Sequence, residues 1–467
     1  MSAYAVLQSL VVPVLPTIQA SLGTSQSAVT WVLTSYLLSA SIFTPIMGRI
    51  GDITGKKRTF VIALVALVIG SVVGALATNI GVMIVARVIQ GVGGGVLPLA
   101  FGIIRDEFPA ERVAGAVGKL ASIVAVGAGL GIVLAGPIES SLDVHWLFWL
   151  PAILVAISAV AAHLLVPESR VRSPGRISVL PAVLLSAWLV CALVALSQAP
   201  SWGWVSPRSL GLFLAAIVLA FLWIVSEQRA ASPLIDLRMM RLPAVWTTNL
   251  VALLVGVGMY ASFAFLPEFL QTASSAGYGF GLSVTQSGLV LLPSAAAMFI
   301  AGLQSGRMVR AIGSKRVIIL GTSIATASMI MLTTAHDQQW ELYVVNAIMG
   351  AGFGIAFAAM SSLIVDSVPA AQTGVASGMN ANIRTIGGSI GAALMTSIVT
   401  AGTPAGRIPH ESGYTAGFLM LAIASALAVA AALLIPALRH RARTEAEPEH
   451  AELALVAGGT VVGDKSE

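Results

Sequence analysis

The chain has 467 residues, of which 57% are hydrophobic and only 10% are charged, and its mean hydropathy is +0.92. A soluble globular domain carries about 25% charged residues, so this composition excludes an ordinary water-soluble protein and indicates an integral membrane protein. The net charge of +5 is explained by membrane topology, as argued below, and requires no nucleic-acid partner. The single cysteine, Cys191, excludes a disulfide framework and a cysteine metal cluster.

Long apolar stretches follow one another along almost the whole chain. A bilayer core of ~30 Å requires about 20 apolar residues per helix, with all backbone polar groups satisfied inside the segment. The sequence therefore predicts an all-α integral membrane protein with fourteen transmembrane helices. Their predicted ranges are 3–20, 28–48, 59–78, 80–104, 113–138, 146–167, 177–197, 209–226, 244–270, 286–304, 317–335, 341–365, 374–400 and 415–438.

Lys and Arg are concentrated in every second loop. The positively charged loops are 49–58, 105–112, 168–176, 227–243 and 305–316, together with the stretch 439–443. They contain nineteen of the 25 Lys and Arg, whereas the loops of the other parity contain only Arg208 and Arg407. Cytoplasmic loops of membrane proteins are enriched in Lys and Arg, so we expect both termini in the cytoplasm.

The loop sequence "GRIGDITGKKRTF" at 48–60 has a counterpart later in the chain. In "GRMVRAIGSKR" at 306–316, Gly306 and Gly313 match Gly48 and Gly55, and basic residues follow in both. Each segment joins the second and third helix of a six-helix set. Parallel repeats of six helices place a substrate cavity between the two halves, open alternately to each side of the membrane.

This repeat predicts how the chain is divided. We expect an N-terminal six-helix bundle over 1–167, a two-helix insert with cytoplasmic linkers over 168–243, and a C-terminal six-helix bundle over 244–438. The polar, charged segment 439–467 is predicted to be a disordered cytoplasmic tail.

Several motifs resemble a known family. Gly48, Asp52, Gly55, Lys56 and Lys57 fit the cytoplasmic signature of the major facilitator superfamily, and "RVIQGVGGG" at 87–95 is similar to its fourth-helix signature. The fourteen spans, "LPTIQ" in the first helix, "PLIDLRMMR" before the ninth and "IRTIGGSIGAAL" at 383–394 resemble the 14-span drug:proton antiporters of the EmrB/QacA type.

The resemblance implies a function as well as a fold. It implies the major facilitator fold with two extra helices, in a multi-pass protein of the bacterial cell membrane. It also implies a secondary active transporter that acts as a monomer, uses the proton-motive force and needs no cofactor or metal. Small molecules, protons and the lipid bilayer are then the expected partners.

The residues of the first motif suit a conformational latch. Gly48 permits close approach of neighbouring helices, and Gly55 permits a tight turn. Asp52 can accept hydrogen bonds from basic residues, or face the positive N-terminal end of another helix. A contact of this kind that holds in one state and breaks in another would bias a two-state equilibrium. The alternative is that the basic residues only fix the topology.

Glycines recur at four-residue spacing in the predicted helices, a pattern typical of closely packed membrane helices. The predicted packing pairs are Gly91 with Gly95, Gly127 with Gly131, and Gly387 with Gly391. The run "GVGGG" also resembles a phosphate-binding loop, but no strand precedes it, so a dinucleotide site is excluded.

Charged residues at membrane depth usually face a cavity or a partner, because burying one costs about 2.5 to 3.5 kcal/mol. By resemblance, Arg87, with Gln90 beside it, and Arg384 are predicted to line the transport pathway. The alternative is that the arginines brace backbone carbonyls or helix packing. Glu268 is the candidate proton carrier, since a partly desolvated carboxylate can alternate between charged and neutral forms. It lies near one end of its helix, where it would alternatively face water.

The chain departs from the antiporter pattern in the first helix. Leu7 occupies the position at which these antiporters usually carry an acid. The fifth-helix signature is also altered, since Pro137 is displaced from its usual place. These departures weaken the expectation of proton coupling through the usual residue, and they make a neutral, zwitterionic or anionic substrate at least as plausible as a cation.

The sequence thus favours a proton-coupled exporter of small hydrophobic or amphipathic compounds such as drugs and antibiotics. A transporter of one defined endogenous metabolite, working by uniport or symport, is the alternative. A membrane enzyme would need clustered His and carboxylates or a sizeable soluble domain, and a sensor would need a signalling module. An ATP-driven pump is disfavoured because no phosphate-loop motif is present, and a channel would not need the paired halves.

Overall fold

The computed structural model describes residues 1–11, 13–24, 26–168, 178–230, 233–369, 372–401, 403 and 408–436. The tail predicted to be disordered, 439–467, and part of the first linker of the insert lie outside these residues. Over the described part of the chain, the regular secondary structure is entirely helical.

The α-helices follow the predicted spans closely. They are α1 (Ser2–Leu10), α2 (Leu15–Ser21), α3 (Gln26–Thr54), α4 (Lys56–Ala75), α5 (Ile80–Gly91), α6 (Val96–Glu107), α7 (Ala110–Ser141), α8 (Trp146–Leu165), α9 (Val179–Trp202), α10 (Pro207–Arg229), α11 (Leu237–Met240), α12 (Pro243–Gln271), α13 (Val284–Ile312), α14 (Ser314–Thr334), α15 (Gln339–Ser367), α16 (Thr373–Val399) and α17 (Glu411–Leu433). A 3-10 turn, Val92–Gly95, joins α5 to α6 so that the two form one rod.

Eleven helical segments among the described residues are long and apolar enough to cross a membrane. They coincide with eleven of the fourteen predicted spans, which shows a multi-pass membrane protein. The three other predicted spans are occupied by α1 with α2, by α7 and by α16. That these three also cross the membrane stays a prediction.

The predicted first span, 3–20, is broken into two short helices. Pro13 falls between them, and proline offers no backbone N–H and clashes with a preceding helical turn. Pro16 instead lies in the first turn of α2, where proline is tolerated.

Helix pairs pack in a regular order along the chain. Within 1–167, α1 packs on α7, α3 on α5 and α4 on α8. Within 244–436, α12 packs on α16, and α15 packs on both α13 and α14. Four helix pairs join the first six predicted helices to the last six: α3 with α16, α6 with α16, and α7 with both α13 and α15. Helices α9 and α10 pack on each other, and α9 also touches α3 and α16.

Candidate functional site

The turn between α3 and α4 requires a glycine. Gly55 has a φ of +121°, a backbone conformation that L side chains rarely adopt. A Cβ there would also lie 2.5 Å from Oε1 of Glu168, an oxygen that accepts a hydrogen bond from the backbone N–H of Lys57 at 3.2 Å. Glu168, which follows α8, therefore closes this turn, a role that sequence reasoning missed.

Lys56 is the centre of a buried group of charges. Its side chain is fully buried, and its Nζ lies 2.6 Å from Oδ2 of Asp106 and 3.7 Å from Oδ1 of Asp52. Asp52 belongs to α3 and Asp106 to α6. The ammonium group of Lys56, at the start of α4, therefore contacts the ends of both α3 and α6. A buried ammonium is tolerated only when it is paired and hydrogen-bonded in this way. We call the region around these residues, where α3 and α6 end and α4 and α16 begin, the latch end.

The carboxylate of Asp52 lies beside the first turn of α16. A Cβ on Gly374, in that turn, would be 3.0 Å from Oδ1 of Asp52. Gly48 makes the approach possible from the other side, because a Cβ there would lie 3.0 Å from the carbonyl oxygen of Gly374. The N-terminal turn of a helix carries partial positive charge, so the buried acid of α3 faces a favourable field from α16.

Arg105 makes three hydrogen bonds at the latch end. Its Nη1 donates to the hydroxyl of Thr373 at 2.6 Å and to the carbonyl of Val365, and its Nη2 donates to the carbonyl of Val368 at 2.7 Å. These acceptors belong to the end of α15 and the turn into α16. Sequence analysis counted Arg105 only as a loop charge. Its partners are about 260 positions away in the chain, and no local pattern predicts them.

The six glycines predicted to pack helices all lie against a neighbouring helix. A Cβ on any of them would come within 2.6 Å of another residue. The neighbours are Ser39 for Gly91, Met47 for Gly95, Ser2 for Gly127, Ser9 for Gly131, Leu253 for Gly387 and Val257 for Gly391. The helix pairs involved are α5 and the following turn with α3, α7 with α1, and α16 with α12.

Arg87 is enclosed by protein groups and only 1% exposed. Its Nε donates to the carbonyl of Val32 at 2.9 Å and its Nη1 to Oε1 of Gln90 at 2.7 Å, while its guanidinium lies 4.5 Å from the ring centre of Tyr36. Gln90 in turn donates to the hydroxyl of Ser71 at 3.0 Å. In this conformation Arg87 and Gln90 brace α3, α4 and α5 against each other.

Arg384 lines a small cavity between α6, α15 and α16. Its guanidinium carbon lies 4.3 Å from the ring centre of Phe357, and its Nε has no hydrogen-bond partner among the described residues. The other lining residues are Leu97, Phe101, Phe357, Ser361, Ile364, Ser377, Asn380 and Ala381. Arg384 is thus the charged group that lines this cavity, and its Nε, unlike that of Arg87, is unpaired among the described residues.

A second polar group lies where the first helix meets α3. Gln8 donates to the hydroxyl of Tyr4 at 2.5 Å and to that of Tyr36, the ring that faces Arg87. Leu7, at the position of the missing acid, is fully buried in the apolar core. The residue after the missing acid therefore supplies an uncharged polar link to Arg87, which sequence analysis did not identify.

Glu268 lies far from these residues. It is 25 positions after the start of α12, which corresponds to roughly 37 Å along the helix. The start of α12 is near the latch end, because the preceding Asp236 accepts a hydrogen bond from Gln372 at 3.2 Å. The side chain of Glu268 is exposed and lies beside Tyr414 of α17. The structure therefore separates the proton-carrier candidate from the latch and from Arg384.

Known proteins resemble this chain over most of its length. Residues 1–392 and 248–465 match the sequence profile of the Major Facilitator Superfamily. The chain is 27% identical to the Multidrug transporter protein MdtP of Bacillus subtilis, covering 83% of this chain and 71% of that protein. It is 28% identical to the Tetracenomycin C resistance and export protein of Streptomyces glaucescens, covering 81% of this chain and 70% of the relative.

Solved structures show the same fold. The human organic anion transporter MFSD10 (TETRAN) superimposes with a TM-score of 0.69 at 15% identity, covering 92% of this chain and 96% of that one. The nucleoside transporter NupG superimposes with a TM-score of 0.55 at 15% identity, covering 93% and 98%. With a family profile matched over more than half its length, the chain belongs to the major facilitator superfamily and is a transporter, not an enzyme.

Proposed function

We propose that the protein is a secondary active exporter that moves small hydrophobic or amphipathic compounds, including antibiotics, out of the cell by alternating access. Relatives that are named for multidrug transport and for antibiotic export support this direction and this substrate class. The proposal includes the 14-span antiporter type, both termini in the cytoplasm, a monomeric state and a location in the plasma membrane.

The single observation that carries alternating access is the contact at the latch end between the first and last six helices. Asp52 and Gly48 meet Gly374, and Arg105 binds the turn between α15 and α16. These contacts are polar and geometrically specific, so a modest separation of the helices breaks all of them together. These contacts can stabilise a conformation that is closed at the latch end, and their joint loss would favour a conformation that is open there.

In this scheme the two predicted six-helix halves move against each other about the cavity of Arg384. The conformation described here corresponds to closure at the latch end. Where helices meet at glycines, their backbones are in close contact. Such helices can shift against each other without breaking the packing of large interdigitated side chains. Gly48, Asp52, Gly55, Lys56 and Lys57 form the latch in this proposal, and Arg105, Asp106 and Glu168 extend it.

Arg384 is the proposed substrate contact. Its side chain lines a cavity that also contains the polar side chains of Ser361, Ser377 and Asn380, and its Nε has no hydrogen-bond partner among the described residues. An amphipathic compound with a carbonyl or acidic group could accept from Arg384 while its apolar part packs on Phe101 and Phe357. Arg87 and Gln90 would join this pathway only if the opposite conformation released their present partners.

The proposal includes proton coupling through Glu268. The carboxylate lies in a helix end next to two tyrosines, Tyr278 and Tyr414, where access to water can change with conformation. The alternative, a uniporter or symporter of one endogenous metabolite, is favoured by one observation. The first helix carries Leu7 and Gln8 in place of the usual acid, so the residue most often used for coupling is absent from its position.

One transport experiment separates these possibilities. Cells with and without the protein are loaded with a panel of dyes, antibiotics and labelled cell extract, before and after an uncoupler collapses the proton gradient. The proposal predicts lower accumulation of several unrelated amphipathic compounds and loss of that effect with the uncoupler. Movement of one metabolite alone, insensitive to the uncoupler, would support the alternative.

A further inference from the structure

A cluster of three chemically different metal ligands lies at the end of the molecule opposite the latch. His336 and Asp337 belong to the turn between α14 and α15, and Glu411 is the first residue of α17. One ligand atom from each lies within 4.8 Å of the others. We propose that His336, Asp337 and Glu411 form a binding site for a zinc-like divalent transition-metal ion.

The orientation of His336 supports metal binding through a defined nitrogen. Its Nδ1 lies 2.9 Å from the carbonyl oxygen of Leu332, and only a protonated Nδ1 can donate to a carbonyl. The other nitrogen, Nε2, then carries the lone pair. Histidines that bind metals commonly donate their second N–H to a backbone carbonyl, which fixes the tautomer and the direction of the ring.

The surrounding packing fixes the ring of His336 as well. The residue is only 7% exposed, and its ring makes edge contacts with Phe269 of α12 at 5.6 Å and with Phe418 of α17 at 6.0 Å. A histidine ring packed against two aromatic side chains loses little conformational freedom when it binds an ion. The buried imidazole therefore provides the rigid member of the site.

The second nitrogen of His336 lies near the carboxylate of Glu411. The distance from Nε2 to Oε1 is 3.8 Å, which is too long for a hydrogen bond. Two ligands at the usual zinc distances are about 3.4 Å apart in a tetrahedral site, so a shift of a few tenths of an ångström would let one ion bridge both. Glu411 and Asp337 are partly or fully exposed, which lets their side chains rotate to complete the set.

The ligand types indicate which ions fit. An imidazole with two carboxylates suits zinc and its neighbours in the transition series, whereas magnesium prefers an all-oxygen site and keeps several of its waters. Three protein ligands leave a fourth position for water, an arrangement that zinc accepts. A bound ion would join the turn between α14 and α15 to the start of α17.

The site can be tested on the full-length protein in detergent after treatment with a chelator. Equilibrium dialysis against zinc chloride, with metal measured by mass spectrometry, is expected to give one zinc ion per chain that a large excess of magnesium does not displace. The double variant Asp337→Asn with Glu411→Gln is expected to bind zinc at least tenfold more weakly. Zinc is also expected to raise the melting temperature of the unaltered protein and not that of the double variant.

The chain offers a matched control. Asp143 lies 3.7 Å from His145, with side chains that are 68% and 42% exposed, but no third ligand lies with them among the described residues. Asp143→Asn therefore removes an acid next to a histidine outside the cluster, and zinc binding is expected to stay unchanged. Equal zinc binding by the double variant and the control, or displacement of the zinc by magnesium, would overturn the proposal.

Discussion

Lys56 of α4 and Asp106 of α6 form a fully buried ion pair, with 2.6 Å between Nζ and Oδ2 and almost no exposure of either side chain. Asp52 lies 3.7 Å from the same ammonium group and also beside the first turn of α16. The position of Asp52, and with it the contact between α3 and α16, therefore depends on a lysine that packs within the first six helices.

Loss of the Lys56 ammonium group is expected to destabilise the latch end. Lys56→Met keeps much of the volume but leaves the carboxylates of Asp52 and Asp106 buried without their cation. Removal of one partner of a buried pair costs about 3 to 5 kcal/mol, so the melting temperature in detergent should fall markedly. Arg58→Met, at an exposed position two residues later, is the control and should melt like the unaltered protein. Equal melting temperatures for both variants would contradict a buried ion pair.

Asp52→Asn tests the proposed latch without removing the side chain. The amide retains the size of the acid but loses its negative charge toward Lys56 and the N-terminal turn of α16. We expect the maximal transport rate to fall more than the affinity for substrate. The substitution changes the equilibrium between conformations and leaves the residues that line the cavity unaltered. Parallel transport kinetics and direct binding measurements provide the check. Equal losses in both quantities would count against a latch.

The two buried arginines should behave differently on substitution. Arg384→Gln removes the charge of the cavity and is expected to raise the KM for transported compounds while the melting temperature changes little. Arg87→Gln leaves the carbonyl of Val32 and the side chain of Gln90 without their donor, at a cost of about 1 to 3 kcal/mol for each unsatisfied group. Its main effect should therefore be a lower melting temperature. A higher KM for Arg87→Gln together with a lower melting temperature for Arg384→Gln would contradict the roles proposed for these residues.

Glu268→Gln is expected to abolish coupling to the proton gradient while the protein still folds in the membrane. The measurement is efflux of a transported dye with and without an uncoupler. Glu139→Gln, an acid at the end of α7 that lies in the other half of the chain, is the control and should keep its sensitivity to the uncoupler. Uncoupler-sensitive efflux that survives in Glu268→Gln would remove this residue from the mechanism.

Helix packing through glycine can be tested with a pair of alanine variants. A Cβ at Gly387 would lie 2.0 Å from the backbone oxygen of Leu253, whereas Gly211 in α10 has no atom within 4 Å of such a Cβ. Gly387→Ala should force α12 and α16 apart and cost about 1 to 3 kcal/mol. Gly211→Ala should be neutral or stabilising by about 0.4 to 1 kcal/mol. Melting temperatures that change in the same direction would contradict the packing described here.

The sequence was most informative for features that depend on a single continuous segment of the chain. Apolar length predicted the helices, so the span predicted at 80–104 is found as a rod from Ile80 to Glu107, and the spacing of glycines identified close contacts between helices. The contact of Lys56 with Asp106 and the partners of Arg105 could not be predicted in this way. Lys56 was assigned to the latch motif and Arg105 was counted as a loop charge, but their contacts with Asp106 and with the turn after α15 depend on tertiary packing over 50 to 260 positions.

The distance between the helix ends at the latch tests the central claim most directly. Spin labels at Glu107, after Arg105, and at Pro369, after Val368, occupy exposed positions, and Cys191→Ala removes the single native cysteine. Pulsed electron paramagnetic resonance should show a short distance and a longer one, with Asp52→Asn moving the population toward the longer. A single distance that stays unchanged in the variant, and on addition of a transported compound, would contradict a latch that opens and closes.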